Sequence, residues 1–218
     1  MDYKVYAVRV GDKYGEHYEK ALPFVDVWIR EEQPGVKLQW NKLQAFRGEK
    51  CPVVVIDIDL VFMHDYKKLF ELPVERGEFL ATRNWWGQDN PCVMNYKISG
   101  GFYKFWPEDT EYILDTFNER PDFWQNYYIE NGTTVGPVNG EMNFVEDCVR
   151  GRVGDTPMNM KFVPDSWHTK WVYEPDKEYI CKMNNLYDNN WLYLDQFHND
   201  IKLVHYQRQP AQLSDKEI

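Results

Sequence analysis

Hydrophobic and polar residues alternate along the chain with two different periods, which predict strands and helices in turn. KVYAVRV at 4–10 has the two-residue period of a strand, and the polar, helix-like GEHYEKAL follows it after a loop at Gly11. FVDVWI at 24–29 predicts a second strand, and VKLQWNKLQAF at 36–46 has Leu, Leu and Phe spaced for one helix face. The unbroken apolar run of PVVVIDID at 52–59 is typical of a central parallel strand that is covered on both faces.

The rest of the chain continues this alternation. Strands are predicted at 77–82, 99–105 and 201–206, helices after Asp65 and at 108–119 and 141–149, and an irregular stretch at 120–140. Because strands alternate with helices, we expect an α/β fold: one Rossmann-like domain over 1–218, with a mostly parallel central sheet flanked by helices.

Composition and charge narrow the classes of function. The 218 residues carry a net charge of −10, which argues against a nucleic-acid partner. No apolar run approaches the ~20 residues of a membrane span, and no signal segment begins the chain. The four cysteines are widely spaced and form no C-x-x-C pair, which favours reduced thiols. We therefore expect a cytoplasmic protein without a transmembrane segment; the oligomeric state is left open.

Two carboxylates follow the central strand. Asp57 and Asp59 are two residues apart, and such residues on a strand point to the same face. Ligands of open α/β sheets bind beyond the carboxyl ends of the strands. Paired oxygen ligands there suit Mg²⁺ or Mn²⁺, which complete their coordination with water and substrate phosphates. The pair predicts a metal-bound diphosphate, although acids after a strand are often simply solvated or cap a helix.

The motifs in this region resemble those of a known enzyme group. KLQWNKLQAF followed by VVVIDIDLVFMHDYKKLF resembles GT-A fold glycosyltransferases, in particular the retaining glycogenin-like and lipopolysaccharide galactosyltransferase group. SGG at 99–101 looks like the S-G motif of that group, GEM at 140–142 stands where G-D-Q is usual, and VHYQRQP at 204–210 resembles its H-F-x-G-x-x-K-P ending. The resemblance covers most of the chain, and its specific part is the D-x-D region.

The resemblance implies transfer of a sugar from a nucleotide-diphosphate donor, a UDP-hexose, to a carbohydrate-bearing acceptor on a glycan, lipid or protein. Residues of about 1–60 would form the nucleotide-binding half and about 61–218 the donor-sugar and acceptor half. His205 would join Asp57 and Asp59 as a third metal ligand, and a histidine moves the preference from Mg²⁺ toward Mn²⁺.

The remaining candidate residues would bind the nucleotide sugar. They are Ala7, Val8, Arg9 and Tyr14 at the first strand, Trp40 and Lys42 on the following helix, Ile58 within the D-x-D segment, Asn84 and Trp85, Ser99 and Gly100, Lys170 and Arg208. Trp40 could equally be a core residue and Lys42 a solvated lysine, since both types are common in those roles.

Glu141 and Asp59 are the expected catalytic residues. Glu141 stands where the group has an aspartate that contacts the donor sugar. Its extra methylene moves the carboxylate by more than about an ångström, enough to affect a positioned catalytic group. A retaining reaction is thought to need no strong protein base, whereas an inverting one needs a carboxylate near the acceptor. Glu141, Glu146 and Asp147 stay open for that role.

Two other functions fit parts of the sequence. Asp57, Asp59 and Val61 also match the D-x-D-x-[TV] signature of haloacid-dehalogenase-type phosphohydrolases, in which Asp57 would be the nucleophile and Asp59 a general acid. That motif normally lies on the first strand, whereas here more than fifty residues precede it, and Asn159 replaces an expected metal aspartate. The chain could also be a non-catalytic relative that binds nucleotide sugars.

Overall fold

The computed structural model describes residues 2–11, 15–63, 65–84, 96–131, 140–174, 177–182, 191–193 and 200–206, with the backbone alone at 170–174, 177–182, 191–193 and 206. The chain folds into two compact units. Unit 1 comprises Met1–Ile58 and Pro73–Phe162, and unit 2 comprises Asp59–Leu72 and Val163–Ile218.

Unit 1 contains a six-stranded sheet. Its strands are β1 (Lys4–Val8), β2 (Val27–Ile29), β3 (Val53–Ile56), β5 (Glu78–Arg83), β6 (Ile98–Phe105) and β7 (Asn159–Phe162), whereas β4 (Leu60–Phe62) belongs to unit 2. Their order is β2-β1-β3-β6-β5-β7. The β1–β2, β1–β3 and β5–β7 pairs are parallel, and β6 is antiparallel to both of its neighbours. The sheet is therefore mostly parallel, with β6 as the single reversed strand.

Helices complete unit 1, and most of them add side chains to its core. They are α1 (His17–Ala21), a 3₁₀ helix (Leu38–Phe46), α3 (Pro107–Glu119), α4 (Pro121–Asn131) and α5 (Glu141–Val149). All four residues of β3 are buried, and Val53 and Val55 join the main core with side chains from the 3₁₀ helix and α5. The expected α/β fold with a buried central strand is thus confirmed.

Besides β4, the elements of unit 2 are α2 (Lys67–Glu71), a short 3₁₀ helix (Asp165–Trp167), β8 (His168–Glu174), β9 (Lys177–Lys182), β10 (Trp191–Tyr193) and β11 (Leu203–Tyr206). Its strands form a five-stranded sheet of order β10-β9-β8-β11-β4. β11 runs parallel to β8 and antiparallel to β4. Sequence patterns predicted β11 but not β8, β9 or β10. Whether 1–218 behave as one domain stays a prediction.

The segment at 36–46 forms a 3₁₀ helix in place of the expected regular helix. The side-chain amide of Asn41 donates hydrogen bonds to the carbonyl oxygens of Val36 (3.1 Å) and Leu38 (2.9 Å), which an α-helix would pair with backbone N–H groups. Asn41 is completely buried, so this pairing is part of the core. Local side-chain bonding therefore tightens the helix.

The prediction of an irregular stretch at 120–140 is wrong for its first half, because Pro121–Asn131 form α4. Proline suits the first position of a helix, where its missing N–H is not needed. Tyr128 is buried against Phe144, whereas Phe123 and Tyr127 are 40% and 39% exposed. Aromatic residues thus occupy both faces of α4, which conceals the helical period in the sequence. Residues 132–139 lie outside the described part of the chain.

Candidate active site

The D-x-D segment begins at the carboxyl end of the central strand β3. The backbone N–H of Asp57 donates a 3.0 Å hydrogen bond to the carbonyl oxygen of Gly101, which ties the end of β3 to β6. Ile58 turns into the protein and is 6% exposed. The side chains of Asp57 and Asp59 keep 23% and 27% of their surface exposed. Alternation along the segment therefore presents two carboxylates and buries the isoleucine between them.

The residue after Asp59 begins β4, and pairing within unit 2 sets the place of the histidine. In the antiparallel β4–β11 pair, His205 stands opposite Leu60. This register leaves Nε2 of His205 3.8 Å from Oδ1 of Asp59. The sheet of unit 2 thus brings together two of the three predicted metal ligands.

Asp57, in unit 1, lies two residues before Asp59, the residue at which unit 2 begins. Asp57, Asp59 and His205 are candidate metal ligands, and each of the three side chains is partly exposed. Two carboxylate oxygens and one imidazole nitrogen make a donor set that suits a divalent ion such as Mn²⁺.

Lys42 connects the D-x-D segment to the interior of unit 1. Its side chain is only 4% exposed, and its ammonium forms an ion pair with Asp57. Nζ also donates a 2.9 Å hydrogen bond to the carbonyl oxygen of Gly100 and lies 3.6 Å from Oε2 of Glu141. Lys42 is therefore a buried cation between two carboxylates and not the solvated lysine that the sequence also allowed.

Glu141 is the first residue of α5 and is 3% exposed. Burial raises the pKa of Glu141 to about 7, with Lys42 opposing the rise and the charge of Asp57 adding to it. A carboxyl group with this pKa can hold or release a proton near neutral pH. The residue that the sequence suggested as catalytic thus has a perturbed pKa, as functional groups often do.

Gly140 allows α5 to begin at this place. Its φ of 109° lies in the left-handed region, and a Cβ there would come within 2.6 Å of Cβ of Tyr128. Only glycine fits this contact without a shift of α4. The position of Glu141 therefore depends on close packing between α4 and the start of α5.

The described candidate nucleotide-binding residues at the first strand are two apolar residues that join the core and one arginine that forms an ion pair. Ala7 is wholly buried and Val8 is partly buried against the core. Arg9 forms an ion pair with Glu19, which Arg30 also contacts, and these cations hold the pKa of Glu19 at about 2. In this structure the Arg9 guanidinium thus has an acidic partner within unit 1.

The other described candidates have mainly structural contacts. Trp40 is completely buried and stacks on Phe117 with ring centroids 5.2 Å apart, as the core alternative anticipated. The carbonyl of Ser99 accepts a 3.4 Å hydrogen bond from Thr82. The backbone N–H of Asn84 donates a 2.6 Å hydrogen bond to Lys97.

Three further candidates, Tyr14, Trp85 and Arg208, lie outside the described residues. Lys170 is placed by its backbone alone, opposite His205 in the parallel β8–β11 pair.

The two other carboxylates considered as bases are fully engaged. Oε2 of Glu146 accepts 2.7 Å hydrogen bonds from the N–H groups of Lys97 and Ile98, and Oε1 accepts one from Arg150. Asp147 is held in a buried cluster by Tyr96, Tyr128 and Arg152. Both residues are at most 3% exposed. They stabilise α5 and the start of β6 and are poorly placed to meet an acceptor.

Tyr103 is a wholly buried residue of β6 that the sequence patterns did not indicate as a site residue. The charges of Glu141 and Asp57 act on its hydroxyl group. Burial is the main cause that raises its pKa, followed by the negative charge of Glu141 and then that of Asp57. A tyrosine in a strand gives no sign of such neighbours, because they come from elements distant in sequence.

Comparison with solved structures shows a fold similar to that of a glycosyltransferase. The galactosyltransferase LgtC, solved in complex with donor and acceptor sugar analogs, matches 94% of this chain and 87% of its own, with a TM-score of 0.50 and 10% identity. The glycosyltransferase GlyE of Streptococcus pneumoniae TIGR4 matches 76% of this chain with a TM-score of 0.45 and 14% identity. The chain spans 39% of the length of GlyE. The likeness to LgtC confirms the GT-A fold expected from the sequence.

Neither protein-family models nor the sequences of curated proteins match the chain. Among the described residues, no helix has both the length and the apolar character that crossing a bilayer requires.

Proposed function

We propose that this protein is a metal-dependent glycosyltransferase that moves a hexose from a nucleoside-diphosphate donor, UDP-hexose, to a carbohydrate-bearing acceptor. The observation that carries the proposal is the contact between His205 and Asp59, two residues after Asp57 at the end of the central strand of a GT-A fold. In α/β folds the carboxyl end of a central strand is a usual position for ligands.

The donor set fits the ion that this reaction requires. Asp57, Asp59 and His205 would hold Mn²⁺, or Mg²⁺ with lower preference, and their partial exposure leaves room for phosphate oxygens to complete the coordination. When bound, the ion would act as a Lewis acid that stabilises the charge of the departing diphosphate. The protein has a net charge of −10, so a local cation is also needed to bind an anionic donor.

Lys42 and Glu141 would act on the nucleotide-sugar donor and not on the acceptor. Lys42 holds Asp57 and approaches Glu141, so one buried cation links a metal ligand to the predicted catalytic carboxyl group. Glu141 would contact the donor sugar near the carbon that reacts, where a carboxylate stabilises positive charge in the transition state.

Retention of configuration at the reacting carbon is the stereochemical outcome that we propose. Glu146 and Asp147 are bound to backbone, arginine and tyrosine groups, so neither is well placed to act as a base toward an acceptor. Glu141 is assigned to the donor sugar in this proposal. A reaction with no separate protein base then fits the retaining course, in which the departing phosphate accepts the proton of the acceptor hydroxyl.

The phosphohydrolase alternative is less well supported. Its signature aspartate belongs after the first strand, whereas Asp57 follows β3, after β1 and β2. Asn159, the position of its second metal aspartate, lies at the start of β7 and hydrogen-bonds to Glu78 at 3.4 Å.

A screen of nucleotide sugars tests the proposal. Thermal unfolding is followed with UDP-, GDP- and CMP-linked sugars in Mn²⁺ and in EDTA, and release of the free nucleotide is measured in parallel. Binding to the folded state raises the unfolding temperature, so we expect a rise with UDP-hexose that requires Mn²⁺, together with release of UDP. Asp59→Asn should abolish both effects, and Asp65→Asn, which changes an exposed acid of unit 2, should abolish neither.

Three results would contradict the proposal in different ways. The absence of any metal-dependent response to a nucleotide would exclude a metal-dependent transferase. Trapping of a fluoroberyllate adduct on Asp57 would establish the phosphohydrolase. Metal-dependent binding without release of nucleotide, also in the presence of sugar acceptors, would indicate a non-catalytic relative.

A further inference from the structure

Two polar atoms in the interior of unit 1, Oη of Tyr103 and Oε1 of Glu141, have no formed hydrogen bond among the described residues. Tyr103 is wholly buried and Glu141 is 3% exposed, so no bulk water replaces the missing partners. A buried polar group that lacks a partner costs more free energy than an ordinary hydrogen bond contributes. The two groups are complementary, because a phenol donates and a carboxylate accepts.

The two side chains also act on each other electrostatically. After burial, the charge of Glu141 is the largest influence on the pKa of Tyr103 and exceeds that of Asp57. In the other direction, the Tyr103 hydroxyl favours the ionised form of Glu141. The hydroxyl and the carboxyl group are therefore close enough to influence each other.

Lys42 occupies the other side of the same carboxyl group. Its Nζ lies 3.6 Å from Oε2 of Glu141 and is fixed by the carbonyl of Gly100 at 2.9 Å. A Cβ on Gly100 would lie 3.5 Å from Oη of Tyr103 and 3.6 Å from Nζ of Lys42. These ordinary contact distances show that the Tyr103 hydroxyl and the Lys42 ammonium lie beside the same glycine, and Lys42 is also near Glu141.

We infer that Tyr103 is a positioning residue for Glu141: its hydroxyl donates a hydrogen bond to Oε1 while Lys42 holds Oε2. Contacts on both oxygens fix the orientation of the carboxyl plane, and a misplacement of about 1 Å can cost about 10²-fold in rate. The catalytic consequence rests on the proposed function, whereas the contact between Tyr103 and Glu141 does not.

The charged groups that act on this pair come from three elements. Lys42 belongs to the 3₁₀ helix and Asp57 follows the end of β3, and both act on Glu141. Glu146 on α5 acts on Tyr103. Tyr103→Phe removes one oxygen atom and leaves these charges in place.

The experiment measures stability against pH for metal-free wild type, Tyr103→Phe, Glu141→Gln and the double variant. The pH midpoint that belongs to Glu141 is the part of the wild-type profile that Glu141→Gln removes. We expect Tyr103→Phe to raise this midpoint by about one unit, a tenfold tighter hold on the proton, because the carboxylate loses a donor. In the Glu141→Gln background, Tyr103→Phe should shift nothing.

Tyr112→Phe is the matched control. Tyr112 is also a tyrosine of unit 1 that contacts α5, but its hydroxyl donates to the carbonyls of Cys148 (2.9 Å) and Thr156 (2.8 Å). Loss of the Tyr112 hydroxyl should lower the free energy of unfolding without moving the pH midpoint that belongs to Glu141. If Tyr103→Phe fails to fold, Glu141→Asp replaces it. The shorter side chain withdraws the carboxyl group from the hydroxyl and from Lys42, and both losses should raise the midpoint above the wild-type value although aspartate has the lower ordinary pKa (3.8 against 4.5).

Activity provides the second measurement. Tyr103→Phe should lower kcat about tenfold with the KM for the donor within about twofold, and should add no further loss to Glu141→Gln. An unmoved midpoint, a shift equal to that of Tyr112→Phe, or an undiminished shift in the Glu141→Gln background would each overturn the inference. If Tyr103→Phe shifts the midpoint but the wild-type protein consumes no donor, the proposed function is contradicted and the inference about Tyr103 stands.

Discussion

Lys42 and Asp57 form an ion pair at the edge of the core, with the lysine side chain 4% exposed and the aspartate 23% exposed. The pair joins the 3₁₀ helix to the end of the central strand β3. One partner is a proposed metal ligand, so the same contact serves the fold and the site.

Replacing Lys42 tests how much the ion pair with Asp57 contributes to the stability of the fold. Lys42→Met leaves Asp57 and Glu141 without their cation, and we expect a loss of about 3 kcal/mol, near the low end for breaking a buried pair because Asp57 is partly solvated. Urea unfolding measures the change. Lys68→Met, which breaks an exposed pair with Asp65, is the control and should have little effect. Equal stability of the two variants would contradict a structural role of Lys42.

The metal ligands give a prediction that does not depend on turnover. Mn²⁺ binding, followed by electron paramagnetic resonance without nucleotide, should weaken by at least roughly 100-fold in Asp59→Asn and in His205→Ala, because each removes a ligand from a three-residue set. Asp165→Asn changes another acid of unit 2, outside this set, and should leave affinity unchanged. Wild-type affinity in His205→Ala would show that the histidine is not a ligand.

Glu141 should make stability fall as pH rises. Its pKa is about 7 in the folded protein and 4.5 as its ordinary value, so the native state binds more protons between these values. The unfolding free energy of the metal-free protein therefore contains a component that decreases from about pH 5 to about pH 8. Glu141→Gln should remove this component and be relatively more stable at the higher pH. Parallel profiles of variant and wild type, measured by urea unfolding at intervals of pH, would contradict the raised pKa.

Gly140 gives a prediction about packing. Gly140→Ala places a methyl group 2.6 Å from Cβ of Tyr128 in addition to a strained φ of 109°. Gly48→Ala is matched, because Gly48 has a φ of 96° and no atom within 4 Å of its added Cβ. The control should lose about 1–2 kcal/mol for backbone strain alone, and Gly140→Ala should lose more, as urea unfolding of both variants would measure.

Activity separates the two glycine variants further. Because α5 carries Glu141 at its first residue, displacement of the helix should lower kcat in Gly140→Ala and leave it unchanged in Gly48→Ala. Similar stability and similar kcat in both variants would show that α4 and α5 accommodate the methyl group.

Much of the fold was predictable because it depends on local patterns. The apolar run of β3 indicated a buried central strand, and the polar-apolar period of α3 and α5 indicated helices close to their observed bounds. Sequence patterns failed to predict the secondary structure where contacts with distant residues override the local periodicity. Aromatic residues on both faces concealed α4, and the buried Asn41 side chain turned an expected helix into a 3₁₀ helix.

The sequence by itself determined much of the order of strands and helices in unit 1 and the pair Asp57 and Asp59. Its resemblance to a known family added the candidates His205, Lys42 and Glu141. The tertiary structure decided how these residues are used. It placed His205 beside Asp59 through the β4–β11 register, buried Lys42 between Asp57 and Glu141, and brought Tyr103 to the same carboxyl group. The physical reason is that periodicity specifies which face of an element a residue occupies, whereas burial, pKa and partners depend on elements that meet only when the chain packs.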